Sequence, residues 1–120
     1  MKILITDDSA VMRKIVTRTI RQAGLGKHEI VEAENGRHGL EQVKALKPDL
    51  ILCDWNMPEM NGIEFLKALR ASGDNTPFCF VTSEGGDDMA ETAQAAGAIG
   101  VIVKPFTAEA FMDKLGSVVS

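Results

Sequence analysis

Five short apolar runs, each followed by a stretch with helical periodicity, constrain the fold of this chain more than any other feature. The runs are residues 3–5, 29–33, 50–53, 78–81 and 99–103, and residues 29–33 give the weaker strand signal. The stretches that follow them are residues 9–23, 36–46, 62–71, 87–96 and 107–119. Strands that alternate with helices at this spacing form right-handed crossovers and a parallel sheet covered on both faces. The sequence therefore predicts an α/β domain, a doubly wound (βα)5 unit around a five-stranded parallel sheet.

Capping and stop signals agree with these boundaries. Ser9 can cap the first helix, and Gly24 with Gly26 can end it. The second helix is expected to stop before Pro48, because a residue that precedes proline avoids helical backbone. The length of 120 residues fits one domain over residues 1–120. The sequence shows no linker that would lead to an output domain.

Composition argues against several classes of protein. The net charge of −4 does not suit a nucleic-acid surface, which needs clustered Lys and Arg. Cys53 and Cys79 each lie inside an apolar run, which is typical of reduced core cysteines in a cytoplasmic protein. The chain has no apolar segment long enough to span a bilayer, and its start turns acidic at Asp7, unlike a signal peptide. We expect a cytoplasmic monomer with neither nucleic acid nor membrane as a partner.

Candidate site residues follow four of the five apolar runs. Ligands of such folds bind beyond the carboxyl ends of the strands, so these residues are the candidates for a site. They are Asp7, Asp8, Asp54, Thr82, Ser83 and Lys104. Taken singly, each also fits a helix cap or a strand-end turn.

The chemistry of this set favours phosphoryl transfer. Clustered carboxylates repel each other, and a divalent cation relieves the repulsion. Mg²⁺ fits, because it prefers hard oxygen ligands and is usually bound by one or two carboxylates plus a phosphate. An aspartate such as Asp54 can act as a nucleophile and form an acyl phosphate. Lys104 can pair with a phosphoryl oxygen, and Thr82 can donate a hydrogen bond to another.

Four motifs in order give the chain a resemblance to the response-regulator receiver domains of two-component signalling. They are Asp7-Asp8, residues 54–62 (DWNMPEMNG), residues 82–84 (TSE) and residues 104–106 (KPF). Together they cover the whole chain, and residues 54–58 are most similar to the stand-alone chemotaxis regulators. The resemblance implies a flavodoxin-like fold, a histidine kinase as phosphoryl donor, and signalling through a downstream protein. The flagellar motor switch is one candidate target, and a phosphatase is a further candidate partner.

The resemblance also implies a role for each matching residue at the metal and acceptor positions. Asp54 is the phosphoacceptor. Asp8 and Asp54 bind Mg²⁺ through their side chains, Asn56 binds it through its backbone carbonyl, and Asp7 binds through water or steadies the site.

The remaining motif residues take roles in switching and in dephosphorylation. Thr82 follows the phosphoryl group and carries the signal, while Lys104 contacts that group and precedes a cis peptide bond to Pro105. Asn56 and Glu84 occupy the positions that tune dephosphorylation. The expected enzymatic activity is limited to the chain's own phosphorylation and dephosphorylation.

One position departs from the family pattern. Many receivers have an aromatic residue three positions before the lysine, where it moves inward on activation, whereas this chain has Val101. Valine offers no ring or hydroxyl to a partner, so an aromatic switch coupled to Thr82 is not expected to work here in the usual way. Binding to the flagellar motor in the usual way is in question for the same reason.

Three alternatives to a motor-binding switch stay open on the sequence. The chain could be a phosphate sink that drains a shared kinase, a reading that Val101, Asn56 and Glu84 fit. It could be a receiver cut from a longer regulator. A magnesium-dependent phosphatase is the third, but such enzymes usually carry an aspartate where this chain has Asn56.

Overall fold

The structure, a computed structural model, describes residues 2–24, 29–83, 86–104 and 107–119. Its strands are β1 (Lys2–Thr6), β2 (Glu29–Ala33), β3 (Leu50–Cys53), β4 (Phe78–Thr82) and β5 (Gly100–Val103). Its helices are α1 (Ala10–Gln22), α2 (Gly36–Leu46), α3 (Gly62–Ala71), α4 (Asp87–Ala96) and α5 (Ala108–Val119). Every predicted element is therefore confirmed, with each end within about one residue of the expected position.

The five strands form one parallel sheet in the order β2-β1-β3-β4-β5. The strand order confirms the doubly wound arrangement, because the chain runs outward from β1 in both directions. β2 and β5 are the two edge strands. The three central strands are apolar and buried on both faces, as expected for a parallel sheet covered by helices.

Two apolar clusters hold the helices against the sheet. On one face, Ile3 and Ile5 of β1 belong to a cluster that includes residues of α1 and α5. On the other face, Leu4 and Ile51 belong to a cluster that includes residues of α2, α3 and α4. Successive strand residues alternate between the two clusters, which is the period-two pattern of a pleated strand.

The structure shows the roles of the capping residues predicted for α1 and the end predicted for α2. The Ser9 hydroxyl accepts the backbone N–H of Met12 at 3.2 Å, so the predicted N-cap of α1 is confirmed. Gly24 follows α1 with φ of +82°, a conformation that glycine adopts without strain. Gly26 lies outside the described residues. α2 ends at Leu46, before Pro48, and its C-cap residue Lys47 has a left-handed backbone with φ of 48°.

The carboxyl ends of the strands meet at one edge of the sheet. Thr6 is paired with both Ala33 and Cys53, and Thr82 is paired with Val103. The polar residues that follow these positions therefore emerge side by side. No helix within the described residues is long and apolar enough to cross a membrane.

Candidate functional site

Three carboxylates converge at the carboxyl edge of the sheet. Oxygen atoms of Asp7, Asp8 and Asp54 all lie within 4.8 Å of one another. Asp7 is only 4% exposed, Asp54 is half-buried, and Asp8 is exposed. The cluster therefore has a buried base and a side open to solvent, through which a ligand can reach it.

Hydrogen bonds from neighbouring elements fix Asp7. Its backbone N–H donates to the carbonyl of Ala33 at 3.1 Å, and its Oδ1 accepts the N–H of Ser9 at 2.9 Å. Its carbonyl oxygen accepts Nη1 of Arg13 at 2.6 Å. Contacts from β2 and from α1 thus determine the position of this carboxylate before any ligand arrives.

The carboxylate of Asp54 is oriented by the backbone that follows it. Oδ1 accepts the N–H of Trp55 at 2.8 Å, and this hydrogen bond does not involve the other carboxylate oxygen, Oδ2. The N–H of Asp54 donates to the carbonyl of Thr6 at 2.9 Å, and the N–H of Gly62 donates to the carbonyl of Trp55 at 2.8 Å. The start of α3 therefore supports the loop that aims this side chain.

Burial and mutual repulsion make the anionic cluster unfavourable on its own. Burial raises the pKa of Asp7, although the N–H of Ser9 and the ammonium of Lys104 lower it in part. Burial also raises the pKa of Asp54, and the charge of Asp7 raises it further. Both groups would be stabilised as carboxylates by a nearby cation.

Lys104 lies beside the carboxylates, and Thr82 contacts Lys104 through the backbone. The Nζ of Lys104 is 3.6 Å from Oδ2 of Asp7, and its side chain is 16% exposed. Its backbone N–H donates to the carbonyl of Thr82 at 2.7 Å, and Thr82 is fully buried. The ammonium is thus paired with Asp7. It also lies near Asp54, and its charge offsets part of the rise in the pKa of that carboxyl.

The structure brings four of the predicted site residues together, namely Asp7, Asp8, Asp54 and Lys104, and Thr82 contacts Lys104 through its backbone carbonyl. Asn56 is exposed in the loop two residues after Asp54, and Ser83 is exposed after β4. Glu84 and the Lys104–Pro105 peptide bond lie outside the described residues. Val101 is half-buried and packs against the cluster beneath α2, α3 and α4.

The carboxylate cluster fits a hard divalent cation. Asp7, Asp8 and Asp54 offer only oxygen donors, and their partial exposure leaves room for water, which Mg²⁺ retains when it binds. The raised pKa values of Asp7 and Asp54 also favour a cation at this site, because its positive charge would offset the negative charge that burial makes unfavourable. The residues present therefore suit Mg²⁺.

Sequence reasoning missed two contributions to the site. Arg13 contacts the carbonyl of Asp7 from α1, and the N–H of Trp55 binds Asp54. Neither contribution has a sequence signal of its own. The first depends on the rotation of α1 about its axis, and the second depends on how the backbone turns after β3.

Comparison with known proteins places these features in a family. Residues 3–116 match the family model described as the response regulator receiver domain. The chain is 40% identical over 118 residues to the chemotaxis protein CheY1 of Helicobacter pylori, covering 96% of this chain and 94% of that protein. It is 41% identical over 124 residues to a CheY homolog of Campylobacter jejuni, covering 98% and 92%.

A solved structure agrees with these sequence comparisons. The chemotaxis response regulator CheY4 of Vibrio cholerae superposes with a TM-score of 0.83 at 36% identity, covering 98% of this chain and 97% of that chain. The shared fold therefore extends over nearly the whole length of both proteins.

Proposed function

This chain belongs to the response regulator receiver family, with CheY-like chemotaxis proteins among its relatives, and we propose that it is a switch phosphorylated on Asp54. The observation that carries the proposal is the convergence of Asp7, Asp8 and Asp54 beside Lys104 at the carboxyl edge of the sheet. Relatives of nearly the same length support treating residues 1–120 as one receiver unit.

Asp54 is the proposed nucleophile. The N–H of Trp55 holds Oδ1, so Oδ2 is the oxygen that attacks the phosphorus of a phosphohistidine on the kinase. As the new P–O bond forms, the P–N bond breaks and the imidazole leaves with the electron pair. Lys104 lies close enough to exchange its pairing with Asp7 for a phosphoryl oxygen.

The carboxylates of Asp7, Asp8 and Asp54 would hold Mg²⁺, and the carbonyl of Asn56 is the further ligand that the family pattern suggests. When bound, Mg²⁺ supplies positive charge that offsets the repulsion between the acceptor carboxylate and the phosphoryl oxygens. The protein contributes position, because the backbone bonds of Asp7 and Asp54 already fix both carboxylates.

Thr82 is the proposed link between the phosphoryl group and the output surface. Thr82 ends β4, and its carbonyl accepts the N–H of Lys104, which follows β5. A movement of either residue would therefore displace the ends of both strands. The output surface consists of α4, β5 and α5. Asn56 and Glu84 are the proposed determinants of dephosphorylation rate, and the chain acts on no substrate other than its own phosphoryl group.

A titration of Trp55 fluorescence tests the acceptor site. Trp55 is the only tryptophan, and its N–H binds Asp54 directly. Mg²⁺ is added first, followed by beryllofluoride, which stands in for a phosphoryl group on aspartate. We expect a Mg²⁺-dependent change in emission that beryllofluoride extends, and we expect Asp54→Asn to lose the second step. Wild-type protein that folds but shows no response would contradict the proposal.

A phosphate sink is the second candidate, and Val101 favours it. Valine at this position is half-buried and lacks the ring that an aromatic switch would present to a partner. The two candidates are separated by a pull-down with a reconstituted flagellar switch complex. Retention of the beryllofluoride-bound protein, and not of Asp54→Asn, supports the motor-binding switch. If the switch complex retains neither the beryllofluoride-bound protein nor Asp54→Asn, the result supports the phosphate sink.

A further inference from the structure

The basic charge of this acidic protein is concentrated on α1. The helix carries Arg13, Lys14, Arg18 and Arg21 and no acidic residue, although the whole chain has a net charge of −4. Arg13 is paired with Glu32, with 3.0 Å between Nε and Oε1. Within the described residues, no carboxylate lies within 4.0 Å of the other three cations. They are therefore available to an external anion.

Helix stability does not explain this arrangement. Lys14 and Arg18 are four residues apart and Arg18 and Arg21 are three apart, spacings at which like charges repel. The first turn of α1 has no acidic residue, although the helix dipole would favour one there. Only Arg21, in the last turn, is placed where the dipole favours a cation.

The cations line a groove against the edge of the sheet. The groove has a volume of about 480 Å³ and is lined by Lys14, Thr17, Arg18, Arg21, Ile30 and Glu32. Its size is within the range of ligand-binding clefts. Ile30 is half-buried and supplies an apolar floor, while the basic residues form the wall that belongs to α1.

The other wall of the groove is an edge strand. Among the described residues, β2 is paired only with β1, so its outer side is open to a further strand. Extended peptides bind to such edges through backbone hydrogen bonds, and their alternate side chains give specificity. Ile30 and Glu32 share one face of β2, the face that α1 covers, so a strand added beside β2 would present every second side chain to α1.

The spacing of the cations suits such a strand. Alternate side chains of a strand are separated by roughly 6.6 Å. Lys14 and Arg18 are separated along the helix axis by about 6 Å, from a rise of about 1.5 Å per residue. Carboxylates at alternate positions of an added strand could therefore face Lys14 and Arg18 one to one.

We propose that the groove between α1 and β2 binds an extended, acidic segment of a partner protein, with carboxylates at alternate positions. Nucleic acid and anionic membranes fit less well, because α1 is basic while the rest of the chain is acidic overall. A large polyanion would extend over the acidic remainder of the surface and be repelled by it. A short segment would stay in the groove, because salt at moderate concentration screens charges that lie more than about 10 Å away. The groove does not include the acceptor residues, so binding does not require phosphorylation of Asp54.

The probe is a short synthetic peptide of alternating glutamate and valine, titrated into isotope-labelled protein at low salt. We expect shifts of backbone amides in β2 and α1, and affinity that falls as salt is added. The double variant Lys14→Gln with Arg18→Gln should weaken binding at least about tenfold, which is about 1.4 kcal/mol. The matched control is Lys44→Gln with Lys67→Gln, two exposed lysines on α2 and α3, and it should bind as the wild type does.

Two further peptides test charge and strand pairing separately. A glutamine-for-glutamate peptide should lose most of the affinity, and a peptide N-methylated at every residue should lose it as well, because it cannot donate backbone hydrogen bonds. Equal binding of either peptide overturns the proposal. The same holds if both double variants weaken binding alike, or if no peptide binds.

Other polyanions and the acceptor variant complete the test. Vesicles of phosphatidylcholine with phosphatidylglycerol, or a short oligonucleotide, should bind less tightly than the acidic peptide, and the reverse order overturns the proposal. Asp54→Asn should bind the peptide as the wild type does. This result would hold even if the acceptor assignment failed, so the two proposals can be judged independently.

Discussion

At the residue scale, the neighbouring polar side chains of Thr6 and Asp7 at the end of β1 are both buried, but they differ in their hydrogen bonding. Thr6 is 1% exposed, and its hydroxyl oxygen has no hydrogen-bond partner among the described residues. Asp7 is nearly as buried, but its carboxylate accepts the N–H of Ser9 and lies near Lys104. An unpaired hydroxyl contributes only the cost of losing water, whereas a paired carboxylate can bind a ligand. The first is therefore a liability for stability, and the second is a feature of the candidate site.

Replacing Thr6 with valine should stabilise the protein. Valine keeps the shape of threonine and removes the unpaired hydroxyl, so we expect the free energy of unfolding to rise by about 1 kcal/mol. Urea unfolding followed by circular dichroism measures the change. Thr19→Val is the matched control, because the buried Thr19 hydroxyl donates to the carbonyl of Ile15 at 2.9 Å. A Thr19→Val gain equal to that of Thr6→Val would contradict this explanation.

Replacing Asp7 with asparagine should stabilise the metal-free protein at neutral pH. Burial raises the pKa of Asp7, so the unfolded chain releases this proton at lower pH than the folded protein does. Stability is therefore lost as pH rises from the ordinary value of 3.8 through the raised pKa of the folded state. The variant avoids that loss, and we expect its Tm in chelator at pH 7 to be higher by about 4 °C.

The gain in Asp7→Asn should shrink when the pH is lowered below the ordinary carboxyl range, because the wild-type carboxyl is then protonated in both states. Asp113→Asn, at an exposed position of α5, is the control and should leave Tm nearly unchanged. A variant that is no more stable than the wild type at pH 7 would show that the Ser9 and Lys104 contacts outweigh burial.

At the element scale, the loop between β3 and α3 is held from both sides. The carbonyl of Met60 accepts the N–H of Gly36 at 3.1 Å, and the side chain of Asn35 donates to Glu59 at 3.0 Å. Glu59 has φ of 63°, a strained value for a residue other than glycine. Asn61 caps α3 in a reciprocal capping box. Contacts with the start of α2 and the start of α3 therefore fix the segment that follows Asp54.

Gly62 should not tolerate a side chain. A Cβ at this position would collide with the carbonyl oxygen of Asp54 and approach Phe80 to 2.8 Å. We expect Gly62→Ala to lower the free energy of unfolding by about 1–3 kcal/mol and to weaken the beryllofluoride response. Gly116→Ala is the helical control. Among the described residues, its Cβ meets just the flexible Met112 side chain, at 3.2 Å and beyond, so stability should be unchanged or higher. Equal destabilisation of both variants would contradict the steric argument.

Arg70 should anchor the end of α4 to the end of α3. Its guanidinium donates to the carbonyls of Asp74, Thr76 and Gly97 at 3.0, 2.9 and 2.8 Å. Lysine cannot reproduce this planar fork, so we expect Arg70→Lys to cost about 1–2 kcal/mol. Amide hydrogen exchange near Gly97 should quicken. Arg37→Lys, at an exposed site on α2, is the control, and equal effects would rule out the anchoring role.

At the scale of the whole molecule, the parallel sheet assembles a site from residues that are far apart in sequence. Asp7, Asp54 and Lys104 follow three different strands, and the register of β1, β3, β4 and β5 brings them to one edge. A ligand at this edge therefore binds the folded chain and has no comparable site in the unfolded chain. Binding at the site and global stability are consequently linked.

Mg²⁺ should raise the stability of the whole domain. At a concentration about 100 times its Kd, a ligand that binds only the folded state adds about 2.7 kcal/mol to the free energy of unfolding. Thermal unfolding should show Tm rising with MgCl₂ in the wild type and rising much less in Asp8→Asn. NaCl at matched ionic strength is the control. An equal rise in NaCl would mean that the effect is general screening, without a specific site.

The sequence by itself determined the elements and the edge of the sheet where the site residues emerge. Hydrophobic period and capping residues such as Ser9 are local signals, so the boundaries agreed within about one residue. The alternation of strands and helices implied parallel pairing, and with it the convergence of Asp7, Asp54 and Lys104.

Only the tertiary structure decided which atoms meet at that edge. The pairing of Lys104 with Asp7 depends on how the side chains that follow β5 and β1 are placed. The contact of Arg13 with the Asp7 carbonyl and the groove between α1 and β2 depend on how α1 is rotated against the sheet. Packing sets that rotation, because side chains of several elements must fill one core together. No single stretch of sequence contains this information.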